Sequence, residues 1–130
     1  MEWAKFAVWT LLVVAALLYG RRAWAHHAFA GTYSLDKTVT IEGTVVEFLF
    51  RNPHSAVLVE TLGKDRQAVT WVVEWGGGEL SREGIEKDTL KYGDHVIVIG
   101  NPSRNLADRR LRMQSITRSS DGWRWARPSP

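Results

Sequence analysis

Val39-Thr40-Ile41-Glu42-Gly43-Thr44-Val45-Val46-Glu47-Phe48-Leu49-Phe50 is an extended run that changes phase halfway along. Val39, Ile41 and Val45 alternate with Thr40, Glu42 and Thr44, so that one face of the strand is apolar and the other polar. After Val45 the apolar set shifts by one residue, to Val46, Phe48 and Phe50. A long strand that changes phase and contains a glycine carries a bulge or a sharp coil, and such a strand serves two sheets at once. This expectation decides the fold class, because it favours a closed or strongly coiled β structure over a flat sheet.

Working outward, Asn52-Pro53-His54 is a turn, followed by strands over 56–62 and 67–75. In the latter, Val69, Trp71, Val73 and Trp75 share one face. Gly76-Gly77-Gly78 ends that strand, and 79–85 is the one helical stretch, stopped by Gly84. Tyr92-Gly93-Asp94 turns the chain into a fourth strand over 95–99; 101–108 is a polar loop, and 111–117 is the fifth strand. Asp121-Gly122 is a hairpin signal leading into Trp123-Arg124-Trp125, and Pro128 and Pro130 mark a loose end. Three strands, a short helix and two more strands, beginning with a long coiled one, is the order of a five-stranded OB-like barrel. A sandwich is the competing architecture, and five strands are few for one. The expected organisation is a leader over 1–25, an N-terminal arm over 26–37, the mainly β barrel over 38–120, and a C-terminal tail over 121–130.

The leader sets the cellular context. Residues 6–20 (FAVWTLLVVAALLYG) are apolar, short of the roughly 20 residues that a membrane span needs and suited to a signal-peptide core. Ala23-Trp24-Ala25 places small residues where signal peptidase cuts. Arg21 and Arg22 beside that junction resist translocation, so an uncleaved inner-membrane anchor facing the periplasm is the rival to a periplasmic or secreted product. Cleavage leaves 14 basic and 13 acidic residues, so the pI near 9.5 describes the precursor and is no nucleic-acid footprint. Charge is nonetheless uneven: 101–130 holds seven basic and two acidic residues, read as a solvated edge and frayed end. The chain has no cysteine, which excludes disulfides, thiolate metal sites and thiol catalysis.

A cut after Ala25 would expose His26. Its free amine and imidazole Nδ1 close a six-membered chelate, and one further imidazole gives a T-shaped donor set that suits copper. His54 is the favoured third donor and His27 the next; the His27 ring and amide form a competing chelate with the amine. Twelve residue steps separate His26 from Thr38, a reach of at most about 40 Å. The bland alternative leaves the paired histidines in solvent and has His54 cap its own turn.

Other groups are weaker candidates. His95 enters a strand after a turn and reads as packed or surface. Glu74 between Val73 and Trp75 needs a partner, for which Arg82 is expected. Gly76-Gly77-Gly78 lacks the spacing of a phosphate loop. Trp71, Trp75, Trp123 and Trp125, with Phe48 and Phe50, have the makings of a base-stacking platform, but export and the small net charge argue against nucleic acid.

The chain also resembles a domain-of-unknown-function family of exported bacterial proteins. The residues that carry the resemblance are His26-His27-Ala28-Phe29-Ala30, Val39-Thr40-Ile41-Glu42-Gly43-Thr44-Val45 and Asn52-Pro53-His54, then Trp71-Val72-Val73-Glu74, Leu80-Ser81-Arg82-Glu83-Gly84 and the run from Leu90 to Gly100 (LKYGDHVIVIG). The match covers about 26–120 and implies an exported OB-like domain without implying an activity. Two positions depart from the family: Ser55-Ala56-Val57 stands where members often carry an aromatic residue, and Glu79 where they often carry proline. Together these features point to a non-enzymatic exported barrel that binds a protein or small ligand, with a copper site at His26, His27 and His54. A copper carrier or sensor is the alternative, and an N-terminal-histidine copper oxygenase a distant third. Contact with a membrane follows only if the leader stays.

Overall fold

In the computed structural model, which describes residues 1–12, 29–51, 53–76 and 80–128, strand β1 (Val39–Leu49) is shared between two neighbours. Its first half pairs antiparallel with β4 (His95–Pro102), from Val39 opposite Gly100 to Thr44 opposite His95. Its second half pairs with β2 (His54–Leu62), from Thr44 opposite Glu60 to Leu49 opposite Ala56. The register slips between Val45 and Glu47, where the hydrophobic phase of the sequence changes. Gly43 has a separate role, three residues earlier. A Cβ there would lie 2.1 Å from the Glu60 carbonyl oxygen, so only a residue without one lets β1 cross this close to β2. The bulge and the close approach together coil the strand.

The remaining pairings close the sheet. β2 runs antiparallel to β3 (Ala68–Gly76), and β4 antiparallel to β5 (Arg110–Arg118). β3 and β5 then meet in parallel, from Val72 opposite Arg110 to Glu74 opposite Arg112. The circuit β1-β2-β3-β5-β4 returns to β1, which is the five-stranded barrel connectivity of an OB-like fold. Val45, Val57, Val59, Val73, Val96, Val98, Leu111, Met113 and Ile116 fill the interior and are wholly buried. β-branched side chains suit these inward positions, since they pack on the pleated surface with little rotamer freedom to lose. With the interior filled by side chains, a ligand has to bind on the outside of the barrel.

A 3-10 turn, Leu80–Glu83, lies between β3 and β4 and seals one end. Ile85 N–H donates to Leu80 O and Gly84 N–H to Ser81 O, the double bond of a Schellman cap, with Gly84 at φ +77°. Leu80, Ile85 and Leu90 are buried against Trp75 and its neighbours in one continuous core.

Three boundaries differ from those expected. β4 continues through Asn101 and Pro102, which the sequence assigns to polar loop; Asn101 is buried because its side chain serves as an internal connector. Its amide donates to Lys37 O at 2.7 Å, and its carbonyl accepts from Gln114 Nε2. The loop beyond folds into a second 3-10 turn, Leu106–Asp108. The hairpin expected at Asp121-Gly122 forms, and the tail beyond residue 120 belongs to the barrel: β6 (Arg124–Ala126) pairs with β5, and Trp125 enters the core. The second half of the arm also belongs to the barrel, because Tyr33 bridges to Ser103 and Ser34 N–H donates to Pro102 O. The compact unit accordingly spans Tyr33–Pro130. Met1–Thr32 forms a unit of its own, with a helix over 2–12 and a helical segment over 29–32. Among the described residues no helix is long and apolar enough to cross a membrane. Ala23, Trp24, Ala25, His26 and His27 lie outside the described residues, as do Asn52 and 77–79.

Gly43→Ala forces its new methyl into the Glu60 carbonyl, so the barrel is expected to lose about 2–4 kcal/mol. Urea denaturation measures this as a lower midpoint at unchanged slope, and an unchanged midpoint contradicts the close-approach role.

Candidate functional site

His54 opens β2 as an exposed residue opposite Gly76, and its Nδ1 lies 3.5 Å from the point where a Cβ on residue 76 would stand. The ring thus rests along the backbone of the neighbouring strand. Among the described residues, the side-chain bonds across the preceding turn come from Ser55: its hydroxyl donates to Arg51 O at 2.7 Å and accepts from Arg51 N–H at 2.9 Å, within a buried site. Of the expected copper donors, His54 is therefore described as an exposed, strand-mounted imidazole, while His26 and His27 lie outside the described residues. Among the described residues no three histidines and carboxylates converge to hold a metal ion.

His95 and Glu42 form an exposed pair across β1 and β4, with Nε2 to Oε1 at 2.9 Å. An exposed pair of this kind contributes little stability. It fits the surface reading of His95.

Glu74 has found a different partner from the one expected. Its carboxylate accepts from Arg110 Nη2, at the parallel seam where β3 meets β5, rather than from Arg82 in the 3-10 turn. The buried Tyr33 hydroxyl lies near this pair. Burial, followed by the proximity and charge of Glu74, raises the Tyr33 pKa well above its ordinary value near 10. Burial alone would lower the Arg110 pKa, but Glu74 and Tyr33 outweigh it and the net shift is upward. The cluster ties the N-terminal arm to the seam. The carboxylate is engaged by Arg110, the structural ion pair that a glutamate between Val73 and Trp75 needs.

The aromatic residues are turned on one another. Trp75 is wholly buried, with ring centroids 5.5 Å from Phe48, 5.2 Å from Trp125 and 6.4 Å from Trp123; Phe48 and Phe50 meet edge-on at 5.7 Å. These distances are those of core aromatic packing, not of a stacking surface held open for bases. Trp71 stands apart from this cluster, half-buried beneath Arg109 at 5.6 Å.

Two basic residues of the C-terminal segment have internal roles that their sequence positions do not announce. Arg118 donates to Asp121 at 2.8 and 3.1 Å, to Asp94 at 3.2 Å and to Thr89 O at 2.7 Å. Hydrogen bonds from Arg118 and from Trp123 N–H hold the Asp121 carboxyl below its usual range. Arg127 lies 5.9 Å from the Trp125 ring and donates to Met113 O and Gly76 O. Burial, then the charge of Arg112, depresses its pKa.

Tyr33 yields a pH test. A group whose pKa is raised on folding contributes stability below its unfolded pKa, and that contribution disappears as pH climbs toward the folded value. The wild type is expected to lose stability more steeply than Tyr33→Phe above about pH 10. Thermal unfolding of both proteins across pH 7–11 checks this, and parallel curves contradict it.

No curated protein matches the sequence. Among solved structures the chain is similar to the second single-stranded DNA-binding protein (SSBb) of Mycobacterium smegmatis, at 21% identity and a TM-score of 0.46 over 72% of this chain and 98% of that one. A family model matches residues 13–112, from within the apolar N-terminal stretch to the third residue of β5. The chain belongs to that family, DUF6152, a family of unknown function.

Proposed function

We propose that this protein is an exported barrel whose work is binding rather than catalysis, and that removal of residues 1–25 creates a copper chelate at its new N-terminus. The observation that carries the proposal is the junction Ala23-Trp24-Ala25-His26-His27, which would deliver an amine and two imidazoles next to each other in one proteolytic step. The filled interior of the barrel supports an external binding role. The exposed ring of His54 supports a third donor, since it is held at the start of a strand and its turn is closed by Ser55.

The donors of such a chelate must be neutral to bind metal. An α-amine near pKa 7.7–8 and an imidazole near 6.5 take up copper(II) with release of protons, so binding weakens on acidification below about pH 6. Intact mass of the cell-extracted protein is expected to begin at His26, and a species retaining Met1 overturns the amine chelate. Untagged mature protein titrated with copper(II) is expected to give a nitrogen-rich EPR spectrum at pH 7.5 that fades by about pH 5. No uptake at pH 7.5 removes the copper reading. His54→Ala separates the two chelates: a loss of about tenfold in affinity makes His54 a donor, and an unchanged spectrum confines the site to His26 and His27.

A further inference from the structure

Strand β3 has one open edge. Val72 N–H donates to Arg109 O and Gly63 N–H to Gln67 O. In an antiparallel ladder the backbone groups of successive residues point to opposite sides. Odd-numbered residues of β3 therefore bond to β2, and even-numbered ones face the other way. For Val72 and Glu74 that other side is occupied by β5. Among the described residues, no strand pairs there with Ala68 and Thr70. Their two N–H and two C=O groups form an unfilled ladder about 13 Å long, at about 3.3 Å per residue over 68–71.

A cleft of about 430 Å³ opens at this edge, lined by Lys64, Asp65, Gln67, Ala68, Val69 and Arg109. Its electrostatics favour an anion. Lys64 and Arg109 are exposed on its walls, and Arg66 is exposed in the adjoining turn. Asp65 lines the same cleft and accepts from Gln67 N–H at 3.1 Å, so three cations stand against one carboxylate across the cleft and the turn; Glu60, opposite Thr70, stands on the β2 side away from the open edge. Among the described residues, Arg109 is one of two non-glycine residues with positive φ, at +49°; the other is Arg66 at +63°. A left-handed arginine costs conformational energy, and here it turns the chain away just before β5, leaving the edge of β3 clear.

We propose that this edge takes an extended acidic peptide from a partner protein, which adds as a short strand beside residues 68–71 and sets its carboxylates against Lys64 and Arg109. Backbone pairing supplies the general affinity, and the cations select for acidic side chains. The proposal deepens the reading of the barrel as a binding module and is independent of the copper chelate, whose EPR titration can fail without affecting it.

The probe is a capped hexapeptide of alternating valine and glutamate, added to the ¹⁵N-labelled full chain. Amide exchange at Ala68 and Thr70 is expected to slow by about tenfold or more, with no such change at Val69 or Trp71, whose amides already bond to β2. A valine–lysine hexapeptide is expected not to bind, nor an acidic one N-methylated at alternate amides. Arg109→Gly removes the cation and suits the left-handed backbone; it is expected to weaken binding by about fivefold with the thermal midpoint unchanged or raised. Thr70→Pro removes only an outward N–H and is expected to abolish binding while the β2–β3 ladder persists. No protection at Ala68 and Thr70, equal binding of the lysine peptide, or undiminished binding of the N-methylated one overturns the proposal.

Discussion

The approach of β1 to the Glu60 carbonyl at Gly43 is the constraint from which the rest of the barrel follows. An untwisted first strand would pair with one neighbour along its whole length and leave a flat sheet with two long edges. Here the first half of β1 holds β4 and the second half holds β2, which carries β2 and β4 round to opposite sides of the same core. That rotation brings β3 and β5 into contact, although Glu74 and its ion-pair partner Arg110 stand 36 positions apart in sequence. The parallel seam is only three residue pairs long. It is reinforced by the part-exposed Glu74–Arg110 pair, and the arm is secured beside it by the backbone bridge of Tyr33 to Ser103 and the buried Tyr33 ring.

The opposite strategy secures the end sealed by the 3-10 turn, where apolar rings dominate. Trp75 is surrounded by Phe48, Trp123 and Trp125, and its neighbours are fixed by polar atoms at their rims. Trp125 Nε1 donates to Glu83 at 2.6 Å, linking β6 to the 3-10 turn, and Arg118 lies 5.5 Å from the Trp123 ring while holding Asp94 and Asp121. Large rings supply the buried area, and the charge-assisted bonds set their orientation. The positive excess of the C-terminal thirty residues thus has a partly internal explanation, since Arg110, Arg118 and Arg127 all donate within the fold.

What was legible in the sequence was local. The phase change after Val45 located the slip in register, and the alternation through Val69, Trp71, Val73 and Trp75 identified the face of β3 that meets the core. Turn residues marked where the strands begin and end to within a few positions. Non-local partners were not legible. Arg82 is eight residues from Glu74 and was the reasonable partner by proximity, whereas Arg110 reaches it only because a parallel seam forms. Nothing in Asn101 or Pro102 marks them as strand, because their burial depends on Lys37 and Gln114 arriving from elsewhere. In the tail the hairpin at Asp121-Gly122 and the exposure of Arg124 and Pro128 are legible, whereas the burial of Trp125 depends on Trp75 arriving from β3. Of the candidate copper donors, the structure adds detail at His54 alone, where the turn is closed by Ser55 and the imidazole is left exposed.

Trp125 and Arg127 also bear on when the ring cluster can form. Trp125 packs its ring on Trp75 of β3, and the Arg127 guanidinium holds carbonyls of Met113 and of Gly76, 51 positions earlier in the chain. Contacts between residues so far apart in sequence require a long loop to close before they return any energy. The hairpin β2–β3, whose partners are near neighbours, can therefore assemble well before β6 docks on β5. Until it does, Trp75 lacks one of its covering rings, and that end of the barrel stays open.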